Sequence, residues 1–148
     1  MILAPSQRCF DIIMASEGDK LRAYADPKTK AEPWTIGYGH TGKDVHSSLV
    51  WTQAQAVAAL HSDVSHVAFS INHALGGKPT TQGQFDALCS LGFNVGAGKL
   101  LGSTLWRMHV AGNHDGAAAQ FALWDDKGTA VQHGLDIRRA KERALYLL

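Results

Sequence analysis

Apolar and polar positions alternate with two different periods along this chain, and the changes of period mark its elements. Ser6 stands where a helix N-cap belongs, and Phe10, Ile13 and Met14, with Cys9 beside Phe10, follow at helical spacing. Gly18 can close that helix in the left-handed conformation, which puts Glu17 at its C-terminal end. Over 22–40 the period changes. "RAYA" and "WTIGYG" carry aromatic and β-branched residues, and the turn-rich "DPKTKAEP" between them holds two prolines. This predicts a β-hairpin or a small three-stranded sheet, its glycines marking bulges or close backbone approach.

From residue 52 the helical period returns. Thr52 and Gln55 form a capping box, and Leu60, Val64, Val67, Ile71 and Leu75 make one apolar stripe that "GGKP" at 76–79 stops. Thr81 and Gln84 form a second capping box before "FDALCSLGFNVGAG", whose nearly continuous apolar character predicts a central buried helix. Shorter helices are expected at 104–111 and 115–124, separated by "AGN". A last one is expected over 136–148, with Ile137, Ala140, Ala144, Leu145 and Leu148 facing inward and Arg138, Arg139, Lys141 and Arg143 outward. The class is therefore α+β: a small N-terminal β-lobe, a long helix and a larger helical lobe. We expect one domain over 1–148, with the β-lobe at about 18–50 and the helical lobe at about 52–148 together with the N-terminal helix. Such a division creates a cleft.

Composition narrows the partners. The formal net charge is +1 and no basic stripe runs through the sequence, which argues against nucleic acid as a partner. No stretch approaches a membrane-spanning length, and 1–18 is broken by Pro5, Arg8, Asp11 and Glu17, unlike a signal peptide. A soluble protein without stable membrane insertion is expected. The basic final helix could meet acidic lipid, but with Leu and Ile anchoring it inward a solvated face is the expectation. Cys9 and Cys89 lie among apolar residues and read as small buried side chains. His61, His66 and His73 lack ligand spacing, and neither CxxC nor HExxH occurs, so no metal is expected.

Candidate chemistry gathers in 16–40. Hydrolysis of a glycosidic bond needs a protonated acid at the leaving oxygen and a carboxylate near the sugar. A helix C-terminus disfavours an ionised carboxylate, which suits Glu17 to the acid role. Asp26, at the turn into the loop with Lys28 and Lys30, suits a general base, and the Thr35 hydroxyl could hold the attacking water. By spacing alone, a solvated hairpin with ordinary surface charges fits these residues as well.

The wider pattern decides between them. Glu17-Gly18, "LRAYAD" ending at Asp26, and "TIGYGHTG" from Thr35 to Gly42 are followed in order by "QFDALCSLGFNVGAG", "STL", "AAAQFALW" and "GLDIRRAKERALYL". This series resembles the phage-type lysozyme family, the endolysins like those of phages T4 and P21, over essentially the whole chain. The resemblance implies a lysozyme-like fold and a muramidase that cuts between N-acetylmuramic acid and N-acetylglucosamine in bacterial cell-wall peptidoglycan. It implies an inverting mechanism with Glu17, Asp26 and Thr35 as the catalytic set, and no cofactor. A monomer is expected, made in the host bacterial cytoplasm and reaching the periplasm through a holin lesion. A lytic transglycosylase, which would keep Glu17 alone, and a non-catalytic wall-binding module are the competing functions.

One departure stands out: eight residues, "PKTKAEPW", separate Asp26 from Thr35, more than in the family's common pattern. An insertion at a hairpin tip costs little, so the loop should bulge outward while both residues keep their places. His40 is expected to tie the β-lobe down through a carboxylate. Phe93 and Asn94 in "GFNVG" map to the cleft wall, Asn94 because an amide in so apolar a segment needs a partner. Thr41 and Thr104 map to positions near bound saccharide, and Trp34 could stack on a sugar. Arg138 and Arg139 are rim or structural residues within reach of anionic peptide stems.

Overall fold

The computed structural model describes residues 2–27 and 29–148. In chain order come α1 (Gln7–Glu17), β1 (Lys20–Tyr24), β2 (Thr35–Gly37), β3 (His40–Thr41), α2 (Gln53–Leu75), α3 (Gln82–Val95), α4 (Ala97–Leu101), α5 (Thr104–Val110) and α6 (His114–Gln120). A short 3₁₀ turn, Phe121–Leu123, and α7 (Gln132–Tyr146) complete the order. The class is α+β, as the two periods predict. The chain divides into two compact units, residues 13–63 and residues 1–12 with 64–148. The unit with the sheet is thus longer than the expected β-lobe, taking in the end of α1 and the start of α2.

In the 13–63 unit the strands form an antiparallel meander in the order β1-β2-β3. The returning chain extends it: Trp51 N donates to Leu21 O at 2.8 Å, and Ala23 N donates to Leu49 O at 3.0 Å. One face is apolar, with Ala23, Ile36 and Val45 buried and Trp34, Leu49 and Trp51 packed on them. Trp34, which could stack on a sugar, packs against this core while staying half-buried.

In the larger unit α3 is the axis, with every residue from Gln84 to Gly92 buried. Both expected capping boxes form. Thr81 accepts from Gln84 N while Gln84 accepts from Thr81 N, and Thr52 and Gln55 do the same at 3.2 and 2.8 Å. Gly96, at φ 97°, ends α3 before the "GAG" segment is through, and a separate short α4 follows. Ser6 stands just before α1, but its hydroxyl donates to the buried Asp86 of α3, which also accepts from Ser6 N at 2.8 Å and Gln82 Nε2 at 2.9 Å. Cys9 and Cys89 are free thiols with no exposed surface. Burial, then the charges of Asp86 and Glu142, pushes the Cys9 thiol up to about 12.

Helix α7 corrects the sequence expectation. It runs four residues further toward the N-terminus and turns a different face inward. Ile137 and Leu148 are exposed, as are Ala140 and Ala144, whereas Arg138, Arg139, Glu142, Leu145 and Tyr146 are buried. Only Leu145 of the five expected inward residues is inside. The reason is mutual neutralisation. Glu142 accepts from Arg139 Nη1 at 2.6 Å, from Arg138 Nε at 3.3 Å and from Ser90 Oγ at 2.5 Å. Arg138 Nη2 also donates to Ser90 O at 3.0 Å, and Arg139 Nε to Trp124 O at 2.7 Å. Charges can be buried when each is paired and hydrogen-bonded.

Two stability predictions follow from these interiors. Glu142→Ala strands two buried guanidinium groups and should cost about 3–5 kcal/mol; a loss below about 1 kcal/mol in urea titration would contradict the network's role. His109, on α5, is buried, with Nδ1 2.6 Å from the Tyr146 hydroxyl and Nε2 3.0 Å from Thr80 Oγ1. Burial first, and the His114 charge second, lowers its pKa from 6.5 to about 4. The folded state therefore takes up this proton later than the unfolded state on acidification. Its contribution should be complete above about pH 6.5 and lost as the pH falls toward 4, up to about 3 kcal/mol. Thermal midpoints of wild type and His109→Gln should converge over that window, and parallel curves would refute the assignment.

Candidate active site

Glu17 is the last residue of α1, and Gly18, at φ 68°, ends the helix directly behind it. Its side chain is half-buried. The turn between β2 and β3 lies against it: a Cβ on Gly39 would sit 3.1 Å from Glu17 Oε2, and Gly39 is at φ 83°. Both the close approach and the backbone conformation call for glycine at that position. Tyr24 is a second neighbour. Burial, then the Glu17 charge, pushes its phenol above the ordinary value.

Register supplies the other groups. Tyr24 pairs with Thr35, and Thr35 pairs with Thr41, so these three side chains share one face of the sheet. Ile36 and its partner His40 point to the other face, the one with the apolar cluster. Thr35 and Thr41, predicted to serve the same site, are thus direct cross-strand neighbours. Asp26 leaves the hairpin two residues beyond the Tyr24–Thr35 pair.

The long loop between Asp26 and Thr35 closes on itself. Asp26 N donates to Ala31 O at 3.1 Å, Lys30 N donates to Asp26 O at 2.7 Å, and Thr29 Oγ1 donates to Glu32 O at 2.6 Å. The Asp26 carboxylate takes part, accepting from Thr29 N at 3.1 Å. Local bonds absorb the extra residues, and Thr35 stays in the ladder. Lys30 is exposed on this loop; the expectation for Lys28 lies outside the described residues.

His40 anchors the sheet in the way expected. Its Nδ1 lies 2.7 Å from Asp63 on α2, and its Nε2 lies 3.1 Å from Asp44. The ring also meets Trp51, centroid to centroid at 5.3 Å. Burial opposes a charge here, but hydrogen bonds to Asp63 and Asp44, with their charges, outweigh it and raise the His40 pKa.

The remaining sequence candidates belong to the larger unit. Phe93 is half-buried and Asn94 exposed. The partner Asn94 needs is Arg139, whose Nη2 donates to its Oδ1. Together with Lys99, Trp124 and Arg139, Asn94 lines a hollow of about 380 Å³. Thr104 is exposed and accepts from Arg107 Nη2 at 2.9 Å. Arg138 and Arg139, read from the sequence as structural or rim residues, take the structural role: both are committed to Glu142. Tyr24, Gly39 and Asp63 went unassigned in the sequence. Period-two alternation from Asp26 back to Tyr24 was the available signal for Tyr24, the glycine-rich "TIGYG" that for Gly39, and the carboxylate expected at His40 that for Asp63.

Comparison with known proteins gives a consistent result. The phage lysozyme family model matches residues 14–142. An endolysin of Bacillus phage B103 is 40% identical over 142 residues, 96% of this chain and 53% of that protein. The endolysin of Salmonella phage P22 is 40% identical over 135 residues, covering 88% of this chain and 89% of the relative. Among solved structures, the muramidase domain of SpmX from Asticaccaulis excentricus superposes with a TM-score of 0.87 at 31% identity, over 98% of both chains. The chain spans about half the length of the Bacillus phage relatives it matches.

The His40 anchor yields a prediction of definite sign. Its pKa is raised in the folded state, so its contribution is complete below about 6.5 and lost as the pH rises through the folded value. Imidazole titration by NMR should therefore place His40 above 6.5, and Asp63→Asn should bring it down. The variant should lose more thermal stability at pH 5 than at pH 9; an equal loss at both would exclude a charged anchor.

Proposed function

The chain belongs to the phage lysozyme family, and we propose that it is a peptidoglycan hydrolase, a muramidase cutting the β-1,4 bond between N-acetylmuramic acid and N-acetylglucosamine. Glu17 gives its proton to the glycosidic oxygen as the bond to the sugar breaks. Asp26 takes a proton from a water molecule on the opposite face of the ring, and Thr35 Oγ1 holds that water in line. The product then has inverted configuration at the anomeric carbon. The observation that carries this reading is the register of the meander. It sets Thr35 across from Tyr24, the neighbour of Glu17, and Asp26 follows Tyr24 by two residues. Thr41, on the same face, is proposed to touch the sugar, and Phe93, Asn94 and Thr104 of the larger unit are proposed to contact substrate as well.

The same chemistry gives a partner and a place of work. Peptidoglycan is the polymer, the wall side of the host inner membrane is the site, and a holin lesion is the route. No described helix is long and apolar enough to cross a membrane.

A second reading has one observation in its favour. Asp26 Oδ1 accepts from Thr29 N at 3.1 Å, a bond that would suffice to explain an aspartate at this turn. In that case Glu17 acts alone, as in a lytic transglycosylase, and the product carries an anhydromuramic end.

Clearing of purified sacculi by wild type, Glu17→Gln and Asp26→Asn separates the two readings. Both variants should fold, and each should lose about 10²-fold or more of the rate. Mass spectra of the wild-type products should show reducing muramic ends. An active Asp26→Asn with anhydromuramic products would replace the hydrolase by the transglycosylase.

A further inference from the structure

The loop whose length departs from the family's pattern is built as a ring of hydrogen bonds through Asp26. Asp26 N donates to Ala31 O at 3.1 Å, Ala31 N donates to Thr29 Oγ1 at 3.3 Å, and Thr29 N donates to Asp26 Oδ1 at 3.1 Å. Two more bonds tighten it, Lys30 N to Asp26 O at 2.7 Å and Thr29 Oγ1 to Glu32 O at 2.6 Å. Within the ring Lys30 stands at φ 57°, a left-handed conformation that a lysine keeps only where its surroundings over-determine it. These bonds do little for the core, because residues 29–33 are all exposed. What they hold is Asp26, which is half-buried. Thr29 acts in two ways: its amide binds the carboxylate, and its hydroxyl, donor and acceptor at once, ties the two sides of the loop together.

We propose that Thr29 is a positioning residue for the general base: its amide fixes the Asp26 carboxylate, and its hydroxyl keeps the loop closed so that the amide stays in place. The proposal rests on the function proposed above and deepens it, since it says how the base is held. A carboxylate at a turn can otherwise rotate about Cα–Cβ and Cβ–Cγ, and a backbone N–H on one oxygen removes that freedom. A base that takes a proton from water must meet it at a set distance and angle, so slack at the carboxylate costs rate. The sugar is held by other groups, and Thr29 therefore acts on the chemical step and not on affinity. On this reading the extra residues of the loop are part of the support of Asp26, not slack at the hairpin tip.

The test compares wild type with Thr29→Val, which loses the hydroxyl but keeps the shape and the amide, and with Thr29→Ser, which keeps the hydroxyl. On sacculi, kcat of Thr29→Val should fall about three- to tenfold, the worth of one hydrogen bond, with KM unchanged. Thr29→Ser should recover most of that rate, and the thermal midpoints of all three should agree. A Thr29→Val as fast as wild type, or one changed in KM alone, overturns the proposal. Amide hydrogen exchange supplies a readout independent of catalysis. The Thr29 amide should be protected in wild type and Thr29→Ser and open in Thr29→Val; an unprotected amide in wild type rejects the ring. Added to Asp26→Asn, Thr29→Val should lower the residual rate no further, because there is no base left to position; a further loss by the same factor overturns the link to Asp26. An active Asp26→Asn overturns the base assignment and the positioning role together. An inactive Asp26→Asn beside a fully active Thr29→Val overturns the positioning role alone.

Discussion

A carboxylate with no exposed surface cannot remain charged in an apolar interior unless the fold supplies its counter-charges, and Glu142 is that case here. Two arginines and a serine hydroxyl answer it. The answer dictates much of the larger unit. Arg138 ties α7 to α3 through Ser90, and Arg139 reaches both the Trp124 carbonyl and the Asn94 amide. Removing one member of such a set leaves the others buried and unpaired, so its cost exceeds the worth of any single bond. The positions of Asn94 and Trp124 at the surface hollow are thus consequences of a charge buried beneath them.

The 13–63 unit uses the same device at smaller scale. His40 is held by one carboxylate from α2 and one from its own loop, and its ring lies on Trp51. This fixes β3, and β3 in turn fixes Thr41 opposite Thr35. Gly39 completes the arrangement by letting the β2–β3 turn come up against Glu17. The residues proposed to act on substrate are therefore held by residues that never touch it. Rigid support of this kind is what a reaction with two precisely separated carboxyl groups requires.

What the sequence disclosed, it disclosed through local rules. Gly18 after Glu17, the Thr81–Gln84 and Thr52–Gln55 boxes, and the stripe from Leu60 to Leu75 each depend on neighbours within one or two turns. The change of period at 22–40 marked the sheet for the same reason. What stayed hidden depended on pairings between side chains and between strands, which a residue-by-residue reading of hydropathy does not score. Hydropathy alone put Ile137 and Leu148 inside and Arg139 outside, because it scores each side chain singly and cannot see that Glu142 neutralises two arginines. The spacing was there to be used: Arg138 and Arg139 stand four and three residues before Glu142, with Leu145 and Tyr146 on the same face. Tyr24 was hidden differently, since its place opposite Thr35 follows from the strand register. Gly96 was in plain view, yet a continuous apolar run argued for one helix where a residue at φ 97° makes two.

The correction at α7 also changes where positive charge is available to a substrate. Counting basic residues would assign the anionic parts of a wall polymer to the C-terminal helix, which carries Arg138, Arg139, Lys141 and Arg143. Two of those four are internal. Lys99 and Arg107, isolated in the sequence and unremarkable there, are instead the pair that shares an acid-free groove next to Asn94. A cation already satisfied by a buried carboxylate contributes to the fold and is not available to a ligand. Arg138 and Arg139 of α7 therefore belong to the scaffold.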